Sequence, residues 1–333
     1  MAKVSVLGAG GWGLALALSA FHNKNEVLVW SCFEEEIKNL KNDREHKKLL
    51  PGIKIPEEIK LTTDINEVNG SDITIIAVPS VAVRVTAGKL KGIDCGIVVD
   101  VAKGMEADTY KTLSEVIADC LPDRKIVVLS GPSHAEEVGR KIPTTLVAAS
   151  HDIEAAETVQ NIMMSEFLRI YTNTDVLGVE LGGALKNVIA VAAGIIDGLS
   201  GLGDNTKAAL ITRGISEIAR LGVSLGASHK TFMGLSGLGD LIVTCNSVHS
   251  RNHRYGEKIG MGISPDVALA EVGTVEGYYA CAVVHKFAKE KQVDMPICEQ
   301  CYEIIYNGKS PKNSIFDLMT RPQKQEQNDN LWG

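Results

Sequence analysis

The sequence predicts an α/β fold in two parts: a doubly wound sheet in the N-terminal half, followed by an all-helical C-terminal half. Three observations carry this. Short β-branched runs alternate with helical stretches up to about residue 175. Several of those runs are continuously apolar, as strands of a parallel sheet covered on both faces should be. Beyond that point convincing strands stop, and long helical patterns follow one another through glycine-rich joints.

In order, the predicted strands are KVSVL (3–7), EVLVW (26–30), DITIIAV (72–78), GIVVDVA (96–102), KIVVLS (125–130), TTLVAAS (144–150) and LRIYT (168–172). Helical patterns then cover 178–198, 206–221 and 264–271. A boundary near Asn173 to Gly178 divides the chain into a sheet domain (1–175) and a helical domain (176–320). The polar tail RPQKQEQNDNLWG (321–333) is expected to be loosely ordered.

With 333 residues and 45% hydrophobic composition, the chain can bury one large core or two moderate ones. A net charge of -7 and the lack of a basic block argue against a nucleic-acid partner. The N-terminal MAKVSVLGAG lacks a secretory pattern, and no apolar run reads as a membrane span of roughly 18 residues, so no integral membrane segment and a cytoplasmic location are expected. Seven scattered cysteines read as reduced thiols. Cys298 and Cys301 form a lone C-x-x-C without a second pair, and no H-E-x-x-H occurs, so no metal is expected.

The strand KVSVL runs directly into GAGGWG and the helix-forming LALALSAF, setting Gly8, Gly10 and Gly13 in G-x-G-x-x-G spacing. The first glycine permits the tight turn, the second lets backbone approach a pyrophosphate, and the third lets helix and strand pack closely. This context predicts a Rossmann-type dinucleotide site, with phosphates on a helix N-terminus.

Other candidate positions follow the strands. VAKGMEADT places Lys103 at the carboxyl end of the sheet, and LSGPSHAEE places Gly131, Ser133 and Ala135 at the same edge, with Ser133 as a helix N-cap. In GGALKNVIAVAAG (182–194), Lys186 is set among Gly182, Gly183, Ala190 and Ala193 on its own helix face. A lone lysine of this kind commonly snorkels to water. Here its neighbours are too small to pack its stem, which predicts ligand space above the helix. The stretch 234–256 sets Asp240, Ser250, Arg251 and Asn252 in and around a loop, where Arg251 has the planar fork that suits phosphate. A solvated cluster of Arg251 and Arg254 with Glu257 is the alternative.

Taken in order, GAGGWG, LPGIKIPEEIKL, AKGME, LSGPSHAEEV, VELGGALKNVIAVAAGIIDGLSGLGDNTKAALITRG, TFMGLSGLGDLIVTCNSVHSRNHRYG and VEGYYA resemble the bacterial NAD(P)-dependent glycerol-3-phosphate dehydrogenases from residue 4 to about residue 318. The resemblance implies interconversion of dihydroxyacetone phosphate and sn-glycerol 3-phosphate with NAD or NADP, supplying phospholipid backbones. It makes Lys186 the general base of the oxidation and Lys103 a contact to both cofactor and substrate. Gly131, Ser133, Asp240, Ser250, Arg251 and Asn252 then match substrate contacts. Gly11, Trp12, Ala135, Val275 and Glu276 match cofactor contacts, with Arg251 near the cofactor too.

Family members that favour NADPH commonly carry an arginine two residues after the tryptophan ending the second strand. Here Ser31, Cys32 and Phe33 lead into Glu34, Glu35 and Glu36, which predicts that NADH is used at least as well as NADPH. Lys38 or Arg44 folding back is the countervailing option. Competing functions are a 6-phosphogluconate or β-hydroxyacid type dehydrogenase, which Ser250-Arg251-Asn252 disfavours, and a dinucleotide sensor without turnover, which has no need of Lys186. The oligomeric state is left open by the sequence, a homodimer among the options.

Overall fold

The computed structural model describes residues 1–323, 325 and 326, so the expectation for the tail falls largely on Lys324 and Gln327–Gly333, outside the described residues. Of the tail's described part, Arg321 is ion-paired with Asp294 at 2.8 Å. The chain forms two compact units. One comprises Met1–Glu106 and Lys111–Val176; the other comprises Leu177–Gly333 together with the short insertion Ala107–Tyr110.

The first unit is built on strands β1 (Lys3–Leu7), β2 (Glu26–Trp30), β3 (Lys60–Thr62), β4 (Ile73–Ile76), β5 (Ile97–Asp100), β6 (Ile126–Ser130), β7 (Thr144–Ala149) and β8 (Leu168–Asn173). They form one sheet in the order β3-β2-β1-β4-β5-β6-β7-β8. Its helices are α1 (Gly11–His22), α2 (Glu34–Asp43), α3 (Val83–Gly88), α4 (Leu113–Cys120), α5 (Ala135–Gly139) and α6 (Ile153–Met163). The continuous apolar runs are explained by two cores on opposite sheet faces. Val4, Val6, Val27, Val29, Ile73 and Ile75 join the core that includes Leu14 and Leu16 of α1, Ile37 of α2 and Val159 of α6. The alternate residues Leu7, Leu28, Trp30 and Ile76 join the core with Val83 of α3 and Ile117 of α4. Each such side chain contributes roughly 1.5 to 3 kcal/mol by leaving water.

The sheet departs from a wholly parallel one: β7 runs antiparallel to β6. Only the five-residue α5 lies between them, too little helix for a crossover that would return the chain in parallel. β8 then pairs parallel to β7.

The second unit contains α7 (Val176–Gly198), α8 (Asp204–Ser224), α9 (His229–Phe232), α10 (Asp240–Asn246), α11 (Arg251–Gly260), α12 (Pro265–Val272), α13 (Glu276–Lys291), α14 (Pro296–Asn307) and α15 (Pro311–Met319), as expected for an all-helical half. Among the described residues α7 alone is long and apolar enough to cross a membrane, by length and composition only. It is 23 residues long and its 18-residue apolar window has mean hydropathy 1.6, yet 94% of that window is buried inside the fold, as befits a core helix. Close backbone packing joins it to α11. A Cβ at Gly194 would stand 2.0 Å from the carbonyl oxygen of His253, and one at Gly256 2.0 Å from that of Val191. α14 begins on Pro296 after Met295, which has no side-chain acceptor. Glu217 of α8 supplies it, accepting from the backbone N–H of Ile297 at 2.8 Å, while complete burial pushes its carboxyl up to about 7.

Candidate active site

In the first unit the glycine-rich turn follows β1, which pairs with β2 on one side and β4 on the other. The strand order reverses there, and open α/β sheets bind ligands at such points. Gly8 has φ +118°, and a Cβ on it would stand 2.3 Å from the carbonyl oxygen of Ala77. A Cβ on Gly13 would stand 2.1 Å from the carbonyl oxygen of Gly8, so α1 lies directly on the turn. Gly11 is similarly confined, 2.6 Å from the carbonyl oxygen of Leu49, while Trp12 packs partly buried against the core. Gly10, the N-cap of α1, has nothing within 4 Å of a Cβ position. No side chain caps α1 and its first turn holds no acid. N–H groups bordered by open space at Gly10 fit the pyrophosphate of a dinucleotide.

Lys103, Gly131 and Ser133 are brought together after β5 and β6. The Lys103 ammonium donates to the Gly131 carbonyl at 3.0 Å and to Ser133 Oγ at 2.8 Å. This corrects Ser133 as a helix cap: the N-cap of α5 is His134, and the Ser133 hydroxyl is turned to Lys103 instead. Ala135 opens α5, partly buried beside Gly11.

After β2, Ser31 Oγ donates to Glu36 Oε2 at 2.5 Å at the start of α2. Arg44 does not fold back toward this region. Its guanidinium is held by Glu57 at 2.8 Å and by the carbonyl of Ile59 at 3.1 Å. Lys38 is exposed and 4.0 Å from Glu35.

In the second unit Lys186 does not snorkel. It is 5% exposed, and its Nζ donates to Asp240 Oδ1 at 2.5 Å and to Thr244 Oγ1 at 2.6 Å. Asp240 is itself 1% exposed, and it opens α10 rather than lying in a loop. It follows a π turn, Leu235–Gly239, which sets the backbone of Ser236 against α7. A Cβ at Gly182 would be 2.8 Å from the Ser236 carbonyl oxygen. The small residue at Gly182 therefore admits protein backbone, which corrects the expectation of ligand space there.

Ser250, Arg251 and Asn252 form the start of α11. Ser250 is its N-cap, accepting from the His253 N–H at 3.2 Å. Asn252 donates to Asn187 Oδ1 at 2.8 Å and accepts from the Gly277 N–H at 2.8 Å. Both side chains thus hold the turn, and each keeps a hydrogen to donate, the Ser250 hydroxyl and the second N–H of the Asn252 amide. The Gly277 bond also brings Val275, the fully buried N-cap of α13, and Glu276 to the same place. Arg251 is exposed, and among the described residues neither it nor Arg254 pairs with Glu257. The surface-cluster alternative therefore lacks its ion pair.

Thr244 and Asn187 were not singled out by the sequence, although Asp240 and Thr244 stand one helical turn apart and Asn187 adjoins Lys186. Cys298 and Cys301 are buried in α14, and burial pushes the Cys301 thiol up to about 12. His249 and His253 stand in H-x-x-x-H spacing, but the helix begins only after Ser250, so they do not share a helix face. Among the described residues no three His, Cys, Asp or Glu side chains gather as metal ligands.

Both halves of the chain match one family. Residues 3–156 match the N-terminal part of the NAD-dependent glycerol-3-phosphate dehydrogenases, and residues 175–316 match their C-terminal part. A glycerol-3-phosphate dehydrogenase [NAD(P)+] of Fusobacterium nucleatum is 49% identical over 98% of this chain and 99% of its own. One of Agathobacter rectalis is 48% identical over the full length of both. The crystal structure of the Coxiella burnetii glycerol-3-phosphate dehydrogenase superposes with a TM-score of 0.92 at 34% identity, over 96% of this chain and 99% of the other. These matches favour the main reading over the phosphogluconate-type and sensor alternatives. Sheet, glycine turn, buried lysine and both sequence halves agree, and the chain belongs to the NAD-dependent glycerol-3-phosphate dehydrogenase family.

Proposed function

We propose that Lys186 moves the proton in the reaction of this family, the NAD(P)-dependent interconversion of dihydroxyacetone phosphate and sn-glycerol 3-phosphate. The observation that carries this is a lysine 5% exposed on an apolar helix, aimed by Asp240 and Thr244. As the ketone is reduced, negative charge develops on its oxygen; the Lys186 ammonium stabilises that charge and gives up a proton to it. In the oxidation Lys186 takes the proton back. Asp240 and Thr244 fix the direction of its Nζ, so a misaligned ammonium is avoided without cost at the moment of reaction.

Gly8, Gly10, Gly11, Trp12 and Gly13 would hold the dinucleotide, with Ala135, Val275 and Glu276 as further contacts. Bound there, a reduced nicotinamide supplies the hydride. Lys103, steadied by Gly131 and Ser133, contributes a second cation toward cofactor and substrate. Arg251 grips the substrate phosphate at the start of α11, where backbone N–H groups also favour an anion, while Ser250 and Asn252 hold that turn. The cytoplasm is the proposed compartment, supported by seven free cysteines, six of them buried.

Arg251→Ala tests the phosphate grip. We expect kcat/KM for dihydroxyacetone phosphate to fall by the equivalent of about 2 to 4 kcal/mol, chiefly through KM, because the contact is lost in ground and transition states alike. Unchanged kcat/KM would end the assignment.

Cofactor choice is a second expectation. Three glutamates open α2, and Arg44 is already held by Glu57 and backbone carbonyls. A 2′-phosphate there meets acids while Arg44 is held elsewhere, so NADH should be used at least as well as NADPH. A preference for NADPH of about tenfold or more in kcat/KM at one salt concentration would overturn this.

A further inference from the structure

Asp197, three turns along α7 from Lys186, takes no part in the proton transfer described above. It is nevertheless tied on two sides. Its Oδ2 is 2.7 Å from His253 Nε2 on α11 and 2.6 Å from Lys207 Nζ on α8. Burial opposes its ionisation, but the bonds from Lys207 and His253 outweigh that and hold the carboxyl below its usual range. A carboxylate only accepts, so Nε2 of His253 carries the hydrogen. The other ring nitrogen, Nδ1, is buried without a partner, which leaves Asp197 as the polar tie of this ring.

His253 lies two residues after Arg251, and its own N–H is the one that Ser250 caps. The first turn of α11 is thus pinned from separate elements: Asn252 by Asn187 of α7 and by Gly277 of α13, His253 by Asp197 at the end of α7. The contact of the His253 carbonyl with Gly194 brings the backbone close but does not fix rotation of the turn about its axis. The directional bonds of the Asn252 amide and of the His253 ring do so together.

We propose that Asp197, acting through His253 and neutralised by Lys207, is a positioning residue that aims the Arg251 end of α11 at the substrate phosphate. This rests on the reading of Arg251 as the phosphate grip. Asp197 touches neither substrate nor cofactor in this scheme. Its loss should loosen the aim of Arg251 and weaken substrate binding while leaving the chemistry at Lys186 and the dinucleotide turn intact.

The test is a mutant cycle on the full-length protein, with KM for dihydroxyacetone phosphate, KM for NADH, kcat and melting temperature measured for each variant. Asp197→Ala, which removes the acceptor, should raise KM for dihydroxyacetone phosphate by about fivefold to twentyfold, with kcat and KM for NADH changed less than about threefold. Added to Arg251→Ala, the same substitution should raise KM by less than about twofold, because the side chain it aims is gone. His253→Leu should behave like Asp197→Ala, whereas His253→Gln, which keeps an N–H donor, should restore KM toward wild type. This second pair keeps the test decisive if Asp197→Ala fails to fold. A normal KM in Asp197→Ala or His253→Leu would overturn the proposal, as would equal effects with and without Arg251, which mark general loosening of the fold. Failure of the underlying reading shows in a different arm, as an unchanged KM in Arg251→Ala alone.

Discussion

Lys186→Ala is expected to lower kcat by at least about a hundredfold, the range that a positioned general acid supplies, while affinity for NADH stays nearly unchanged. The cofactor turn lies in the first unit and has its own supports, Gly8 against Ala77 and Gly13 against Gly8. The substitution also leaves Asp240, 1% exposed, without its ammonium. Removing one partner of a buried pair commonly costs about 3 to 5 kcal/mol of stability, so turnover must be read on protein shown to be folded. Titration with NADH by fluorescence, beside the melting temperature, separates lost chemistry from lost fold. Near-normal turnover would remove Lys186 from the mechanism.

Gly194→Ala carries the largest expected loss of stability. Its Cβ would stand 2.0 Å from the His253 carbonyl oxygen and 2.8 Å from the Glu257 nitrogen, both backbone atoms that no rotamer change can move aside. α7 and α11 must separate, and the partly buried Asn187–Asn252 bond is strained with them. We expect a loss of about 3 kcal/mol or more, at the upper end of overpacking. Gly88→Ala on α3, with nothing within 4 Å of the new Cβ, is the matched control and should change stability by less than about 1 kcal/mol. Chemical denaturation of both variants decides it; equal midpoints would show that the two helices have room the packing does not suggest.

The strands were legible because a sheet covered on both faces needs apolar side chains at every position, which leaves unmistakable runs such as IVVD and IVVLS. β3 escaped the sequence because it is three residues long, KLT, and begins on an exposed lysine. The reversal at β7 escaped it too, since strand direction depends on the connection and not on the strand's own pattern. At the site, the glycine turn was readable because its spacing is local. The partners of Lys186 lie 54 and 58 residues further along the chain, and local periodicity carries no record of such pairs. The same limit misread Gly182, where a small side chain signals close approach of something, and spacing alone does not distinguish a ligand from the backbone of Ser236.

Oxidation of NADH by the purified protein, with dihydroxyacetone phosphate beside unphosphorylated dihydroxyacetone, bears most directly on the account. The phosphate ester should be turned over, and kcat/KM should fall by roughly a hundredfold or more when the phosphate is missing, as expected for a charge-assisted grip worth about 3 kcal/mol. Equal kcat/KM for the two ketones, or no NADH oxidation with either, would contradict it.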